Sequence, residues 1–586
     1  MRGLLSPSLP QSPRSSWVPA EVRERRHRRV LPIVGVALCL LILLHTILPS
    51  AAPPTAGSGE RTGTRWTRLF SFGSRRVPRA TLAADLSFSD YLDAHFPHPK
   101  TRPQPHLWIT LADSLFARTG AANLHAFVQQ LNDERRAKYG KRTRETRVIT
   151  LCLDEACVDE CARRGMYAYG GFERQRPEQI LRATWPKLAS LIEGLPRRDL
   201  FFVDADVSLS QDPYPHMEPL MDRFDILAQE NDAFEHFNTG WLWMRKGQVV
   251  ADAWAKVLAM DMENVSRDQF NFNSVLGTGP LRAHPGEEDD PYRRPLENEF
   301  VAQNGLRVHV LNQRMFRVYH QRDVTYVSRH DSTLLHMTCA DDAWVKLFVA
   351  KVEGFWGDVD GYYSSPPQLL SINHLTGPKE NLVQLFRILL SLAHYSSRAL
   401  SLPSHATILD MASSPLHETH STFPLSHLAA PGADSPLNVT VVEPAYVEHA
   451  TAWLLGRSVL RDGERRADGW WEALGEEERT RRMDKAMDLT KVYDLDMRQH
   501  DTFASLLKRL VSDPLFAAAS HVRLVHFDWP GYQQWTSWEL PGAVAHVQTC
   551  ARIEEGTRCG ELCRFDGEER IRVDEPWRPL ADVIGA

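Results

Sequence analysis

Leu200-Phe201-Phe202-Val203-Asp204-Ala205-Asp206-Val207 is the stretch on which the reading of this chain turns. Four apolar residues form a buried strand, and two aspartates at i and i+2 end it. An extended backbone points both carboxylates to one side. At the carboxyl end of a strand in an open α/β sheet, that side faces the ligand crevice. Two hard oxygen donors there suit a divalent cation that also holds a diphosphate. The competing reading is a strand that simply stops in turn-forming aspartates.

Upstream, strands alternate with helices. Leu107 to Leu111 and Arg147 to Leu153 read as strands, with a helix over Ala121 to Tyr139 between them. A short helix around Cys157 to Arg163, a strand at Met166 to Tyr169 and a helix from Pro177 to Glu193 lead into the central stretch. Downstream, Phe224 to Ala228 is a strand, and Phe237 to Met244 joins a polar turn to an aromatic strand. Helices follow over Gln248 to Met260 and from Asp268. Pro285 to Glu299 is an acidic surface loop, and strands near Leu306 to Leu311 and Val324 to Val327 lead to Leu334-Leu335-His336. This alternation predicts a mostly parallel sheet flanked by helices. No G-x-G-x-x-G or G-x-x-x-x-G-K-[ST] motif occurs, which leaves a dinucleotide fold of that type and a P-loop unsupported.

The succession D-x-D-V, Asn238-Thr239-Gly240, Asp268-Gln269 and His336-Met337-Thr338 resembles the nucleotide-diphosphosugar transferases of glycosyltransferase family seventy-seven. Within that family it is most similar to the plant extensin arabinosyltransferase group. Trp185-Pro186-Lys187 resembles the lysine-bearing helix before D-x-D, and Lys346 with Tyr362-Tyr363 resembles the late lysine and tyrosine pair. The likeness covers roughly residues 105 to 400. Departures stand at Leu209, at Ala228-Gln229-Glu230-Asn231, around Phe316 to His320 and at Cys339. They bear on donor and acceptor choice more than on the reaction class.

The resemblance implies a GT-A-like domain that moves a sugar from a nucleotide-diphosphate donor to a glycan or glycoprotein acceptor, retaining anomeric configuration. Asp206 and Asp204 are the expected ligands of Mn²⁺ or another divalent cation, with His336 as a third, since neutral imidazole suits Mn²⁺. Asp204 also stands as a donor ligand, and Lys187 and Lys346 as charges on the phosphates. Asp268 is the expected catalytic carboxylate, as nucleophile or acceptor ligand. Asn238 and Gln269 are amides suited to sugar hydroxyls. Each of these residues also has an ordinary structural reading: a strand-end histidine, solvated lysines, a capping Asp or Asn. The rival functions are a catalytically silent family member that binds glycan or partner proteins, and a metal-dependent luminal hydrolase.

The ends of the chain place this domain. Residues 1–29 carry seven arginines against two glutamates, a basic cytosolic tail. Residues 30–48 are free of charge, and as helix they span roughly 28 Å, close to the hydrocarbon thickness of a bilayer. The arginines keep the tail cytosolic and send the rest across, so the segment reads as a transmembrane signal anchor. A cleaved signal peptide is the alternative. Residues 49–100 form a Pro- and Gly-containing stem, 101–364 the transferase domain, and 365–586 a smaller C-terminal α/β domain. The expected address is the Golgi membrane, single-pass type II, with the catalytic domain luminal. Sequons at Asn264 and Asn438 agree with that address.

At 586 residues two domains are the natural count. A net charge of −6 gives no general attraction to nucleic acid. Cys39 lies in the apolar run, Cys152, Cys157 and Cys161 cluster, Cys339 stands alone, and Cys550, Cys559 and Cys563 form a late group. An oxidising lumen favours disulfides over zinc, but their pairing does not follow from spacing.

Overall fold

The computed structural model describes residues 78–585, apart from short breaks and the longer segments 278–297, 319–331, 409–421, 426–436 and 458–470. The tail, the span at 30–48 and most of the stem lie outside the described residues, as do Asn264, the strand expected at Val324 to Val327 and the side chains of the late cysteines. Among the described residues no helix is long and apolar enough to cross a membrane.

The first part of the described chain runs β1 (Ala80–Thr81), β2 (His106–Ala112), α1 (Gly120–Tyr139), β3 (Thr146–Cys152), α2 (Glu155–Arg163), β4 (Tyr167–Tyr169), α3 (Thr184–Gly194), β5 (Leu200–Val203) and β6 (Val207–Leu209). It continues through β7 (Ile226–Asn231), β8 (His236–Met244), α4 (Gln248–Glu263), α5 (Asp268–Leu276), β9 (Asn298–Val301), β10 (Arg307–Val310), β11 (Phe316–Val318), β12 (Leu334–His336) and α6 (Ala343–Val352). Nine strands form one twisted sheet in the order β1-β4-β3-β2-β5-β8-β7-β10-β9. Only β8 and β9 run against the rest. This is the mixed, mostly parallel α/β sheet that the alternation implies.

Alternation along the strands explains the layers. On one face Ile109, Ile149, Phe202 and Leu242 pack under Leu188 of α3 and Trp254 of α4. On the other, Trp108, Phe201, Val203 and Trp241 pack under Leu124, Val128 and Leu131 of α1. Each such buried side chain contributes about 1.5–3 kcal/mol of transfer free energy, which fixes the register of the sheet. Arg135 of α1 grips Asp212 through Nε to Oδ2 at 2.8 Å and Nη2 to Oδ1 at 2.9 Å, tying the loop after β6 to the helix layer.

A second core lies around a fully parallel five-stranded sheet, β17-β15-β13-β19-β18. In chain order β13 is Leu369–Ile372, followed by β14 (Thr376–Gly377), α7 (Lys379–Tyr395), β15 (Ala399–Ser401), β16 (Thr407–Ile408), β17 (Val441–Val442), α8 (Tyr446–Leu454), β18 (Val492–Asp496) and β19 (His521–Val525). Residues 75–586 nonetheless pack as one compact unit.

Several boundaries differ from the sequence reading. The helix before the central stretch starts at Thr184 rather than Pro177, which puts Pro186 in the first turn, where its missing N–H costs nothing. Asn298 and Glu299, read as the end of the acidic loop, belong instead to Asn298–Val301, which pairs with β10 as an edge strand. In the second part of the chain the charged segment Glu476–Thr490 is a helix, while Val492–Asp496, also charged, pairs with β19 as an edge strand. Charge on an edge strand mimics a solvated helix face.

Cys152 and Cys157 form a disulfide, and the buried Cys161 stays free, its sulfur 3.9 Å from that of Cys152. Burial pushes the Cys161 thiol up to about 12, so it is inert. Asn438 is exposed, in the left-handed region at φ 50°.

Two histidines, the buried His106 and the half-buried His125, make the fold acid-sensitive. Burial holds His125 down at about 3, with its Nε2 3.1 Å from Thr150 Oγ1. Burial also lowers His106 to about 4, partly opposed by the Glu218 carboxylate 3.6 Å from its Nε2. Both are neutral in the folded chain, while the unfolded chain binds protons below its ordinary histidine pKa of about 6.5. Their contribution is therefore complete above pH 6.5 and is lost as pH falls towards 4. By pH 5 the loss is about 2 kcal/mol for each. The expected result is a thermal midpoint that falls from pH 6.5 to 5, with a shallower fall in His125→Gln; an unchanged slope would refute it.

Candidate functional site

The carboxyl ends of β5 and β12 meet the kinked start of β8. Asp204 and Asp206 leave β5, and the Asp204 N–H donates to the Gly240 carbonyl at 2.8 Å. β12 returns antiparallel to β6 with His336 opposite Val207, and the Met337 N–H donates to the Asp206 carbonyl at 3.3 Å. His336 Nε2 lies 3.2 Å from Asp206 Oδ1 and 3.6 Å from Asp204 Oδ2. One ligand atom from each of the three can be chosen so that all lie within 4.8 Å of one another.

The tautomer of His336 follows from its neighbour. Its Nδ1 lies 2.9 Å from the Gln229 side-chain oxygen, while the Gln229 NH2 donates to the Phe316 carbonyl at 3.1 Å. The amide oxygen can only accept, so Nδ1 carries a proton; Nε2 faces the aspartates, donating to Asp206 when the ring is charged and offering its lone pair to a cation when it is neutral. A hydrogen bond of this kind is what orients a metal-binding imidazole. Gln229 is fully buried. It sits at a register shift between β7 and β8, where the pairing jumps from Leu242 to Asn238 and leaves Thr239, Gly240 and Trp241 unpaired with β7; Trp241 lies opposite Val203 of β5. Sequence reasoning registered Gln229 only as an altered strand end; a buried amide beside an apolar run was the available signal. Gln229→Leu is expected to reduce cation affinity or turnover by about 10–100-fold with the sheet intact. Manganese titration of the variant decides this, and wild-type affinity together with wild-type turnover would sink it.

The two carboxylates are unequal. Asp206 has an 11% exposed side chain against 39% for Asp204. Burial opposes ionisation of Asp206, but His336 and Lys346, whose Nζ is 2.7 Å from Oδ2, overcome it and hold the group well below the usual carboxylate range. Asp204 is raised, by desolvation first and then by the negative charges of Asp206 and Asp268, against Lys187.

A second group adjoins this one through β8. Lys187 of α3 is buried, 2.7 Å from Asp268 Oδ2 and 3.0 Å from Thr239 Oγ1, with its ammonium 4.4 Å from the centre of the Phe202 ring. The Gln269 oxygen accepts the Thr239 N–H at 3.1 Å, and Asn238 Oδ1 accepts the Gly240 N–H at 2.6 Å. All eight residues singled out in sequence, Asp204, Asp206, His336, Lys346, Lys187, Asp268, Asn238 and Gln269, thus converge on one face, linked through Thr239 and Gly240. The lysines are paired with carboxylates rather than solvated. Asn238 and Gln269 are held by backbone N–H groups, as their structural reading also required.

Residues 146–349 match the family described as nucleotide-diphospho-sugar transferase. The chain carries a glycosyltransferase domain. The matched segment holds all eight site residues. Solved structures with likeness to the chain include the bifunctional glycosyltransferase WbbM, at 10% identity and a TM-score of 0.27, covering 42% of this chain and 48% of that one. Another is the glycosyltransferase GlyE of Streptococcus pneumoniae TIGR4, at 12% identity and a TM-score of 0.26, covering 60% and 84%. A third is the galactosyltransferase LgtC in complex with donor and acceptor sugar analogues, at 14% identity and a TM-score of 0.25, covering 44% and 91%. The chain thus spans about half the length of the first of these. No curated protein sequence matches the chain.

The donor set fits a hard divalent cation. Two carboxylates and one imidazole lone pair converge at short range, and the remaining imidazole N–H is already satisfied.

Proposed function

We propose that this chain is a metal-dependent glycosyltransferase that moves a sugar from a nucleoside-diphosphate donor to a glycan or glycoprotein hydroxyl with retention. The observation that carries the reading is the convergence of Asp204, Asp206 and the lone pair of His336 inside the matched transferase segment. Asp204, Asp206 and His336 would hold the cation, Mn²⁺ or another divalent ion, which when bound neutralises the departing diphosphate as a Lewis acid.

The protein's own groups do the rest. Lys346, fixed beside Asp206, presents a positive charge where the phosphates lose the sugar. The C1–O bond of the donor breaks with its electron pair staying on the diphosphate oxygen, the acceptor oxygen becomes bonded to C1, directly or after Asp268, and the acceptor's proton passes to the departing diphosphate. Lys187 keeps Asp268 in place 2.7 Å away, so that its carboxylate faces the sugar as nucleophile or orients the acceptor hydroxyl. Asn238 and Gln269, already fixed by backbone hydrogen bonds, bound the sugar pocket.

We place the protein in the Golgi membrane as a single-pass type II chain, on the strength of the basic tail and the apolar run at 30–48. Residues 365–586, built around the five-stranded sheet, form a second domain in this reading. The test is a panel of nucleotide-activated pentoses and hexoses with the full-length chain, following nucleoside diphosphate release with Mn²⁺ and after chelation. Release by one donor that chelation abolishes is expected. Manganese binding with no release from any donor would favour the catalytically silent reading.

A further inference from the structure

A buried charged cluster lies outside the metal group, between the second sheet and helix α6. Glu443 follows β17 and is fully buried. One carboxylate oxygen accepts the Tyr362 hydroxyl at 2.6 Å, and the other accepts the Tyr363 hydroxyl at 3.1 Å and lies 3.2 Å from His449 Nδ1. Lys351, in the last turn of α6, is also buried. Its ammonium stands 4.1 Å from the centre of the Tyr362 ring and 5.2 Å from that of Trp356. Tyr446 of α8 closes the group, donating its hydroxyl to the Tyr362 carbonyl at 2.6 Å.

Burying a carboxylate and an ammonium together is costly unless geometry and hydrogen bonding repay it. A hydrophobic junction would join the two parts of the chain at less risk, so the cluster calls for another reason. That reason is on the same helix. Lys346 lies five residues before Lys351 on α6 and places its ammonium 2.7 Å from Asp206 Oδ2. Leu347, Phe348, Val349 and Ala350 seat the helix in the core between these two lysines, and Lys351 adds the charged contact at its end. We propose that Glu443 is a positioning residue of the transferase site: by holding Tyr362, over whose ring the Lys351 ammonium rests, it sets α6, and through α6 the approach of Lys346 to Asp206.

The charges agree with this role. Burial opposes ionisation of Glu443, but His449, Lys351 and Tyr362 together keep it below the usual carboxylate range. Burial lowers Lys351 to about 8, and Glu443 opposes that fall. The residue after β17 thus supplies an anion that partly offsets the burial of Lys351, and in this proposal the site depends on a residue beyond the matched segment.

This inference rests on the proposed function only for its turnover readout. The test is a double-mutant cycle on the full-length chain with Glu443→Gln and Lys346→Met, read by manganese affinity from electron paramagnetic resonance and by nucleoside diphosphate release. Glu443→Gln is expected to lower turnover about tenfold, and to move manganese affinity towards the value of Lys346→Met. In the Lys346→Met background it should add nothing, and Glu443→Asp should recover part of the loss. Equal effects of Glu443→Gln with and without Lys346, or none at all in a folded protein, would overturn the proposal. If Glu443→Gln fails to fold, Tyr362→Phe, which removes one hydrogen bond, carries the same cycle. A wild-type chain that binds Mn²⁺ but releases no nucleoside diphosphate would refute the proposed function, while the manganese arm still decides the coupling.

Discussion

Asp206→Asn is expected to reduce donor turnover by about a thousandfold or more while the chain stays folded. Asp206 is the more buried of the two carboxylates, and the one that His336 and Lys346 hold ionised. Asparagine keeps its size and one acceptor oxygen, and the backbone bond from Met337 to residue 206 does not involve the side chain. What disappears is the negative charge. Loss of a cation acting on a departing diphosphate removes several kcal/mol of transition-state stabilisation, and each 1.36 kcal/mol is tenfold in rate. Lys346 is part-exposed, so water can solvate the ammonium left behind. The measurement is nucleoside diphosphate release alongside a thermal midpoint and a manganese titration. Turnover within tenfold of wild type, at matched folding, would remove Asp206 from the chemistry. Asp204→Asn should lose less, because Asp204 is already raised by Asp206 and Asp268 and is more open to water.

The sequence showed the strand and its two aspartates because their signal is local: an apolar run, a stop, and a two-residue spacing. The same holds for the nine-stranded sheet, whose alternation of strands and helices could be read in order. What escaped was set by long-range contact. That Lys346 pairs with Asp206 and Lys187 with Asp268 joins residues far apart in the chain, and no spacing rule encodes it. Gln229 was visible but misjudged, since its value comes from Phe316 on one side and His336 on the other. The late start of α3 was legible: Pro186 sits badly inside a helix begun at Pro177 and well in the first turn of one begun at Thr184. The edge strand at Val492–Asp496 was harder, because solvent-facing charge reads alike on an edge strand and on a helix.

Gly240→Ala is the second change expected to silence the site, and it does so without replacing a charged group. A Cβ at this position would fall inside contact distance of both Asp204 Oδ2 and His336 Cε1, and 2.9 Å from Asn238 Oδ1. The Gly240 carbonyl also accepts the Asp204 N–H, so its backbone cannot retreat without moving Asp204. One methyl group must therefore spread the aspartate from the histidine. Overpacking of this kind costs about 1–3 kcal/mol of stability, which a sheet with two large cores can absorb. The chemical loss is larger, on the order of a hundredfold, because displacement of about 1 Å at a reacting centre has that effect. Gly247→Ala is the control, since a Cβ there meets nothing within 4 Å and should change neither property. Manganese affinity and donor turnover are measured for both variants. If Gly240→Ala binds manganese and turns over donor like the control, Asp204 and His336 do not share a cation, and the metal group as drawn is wrong.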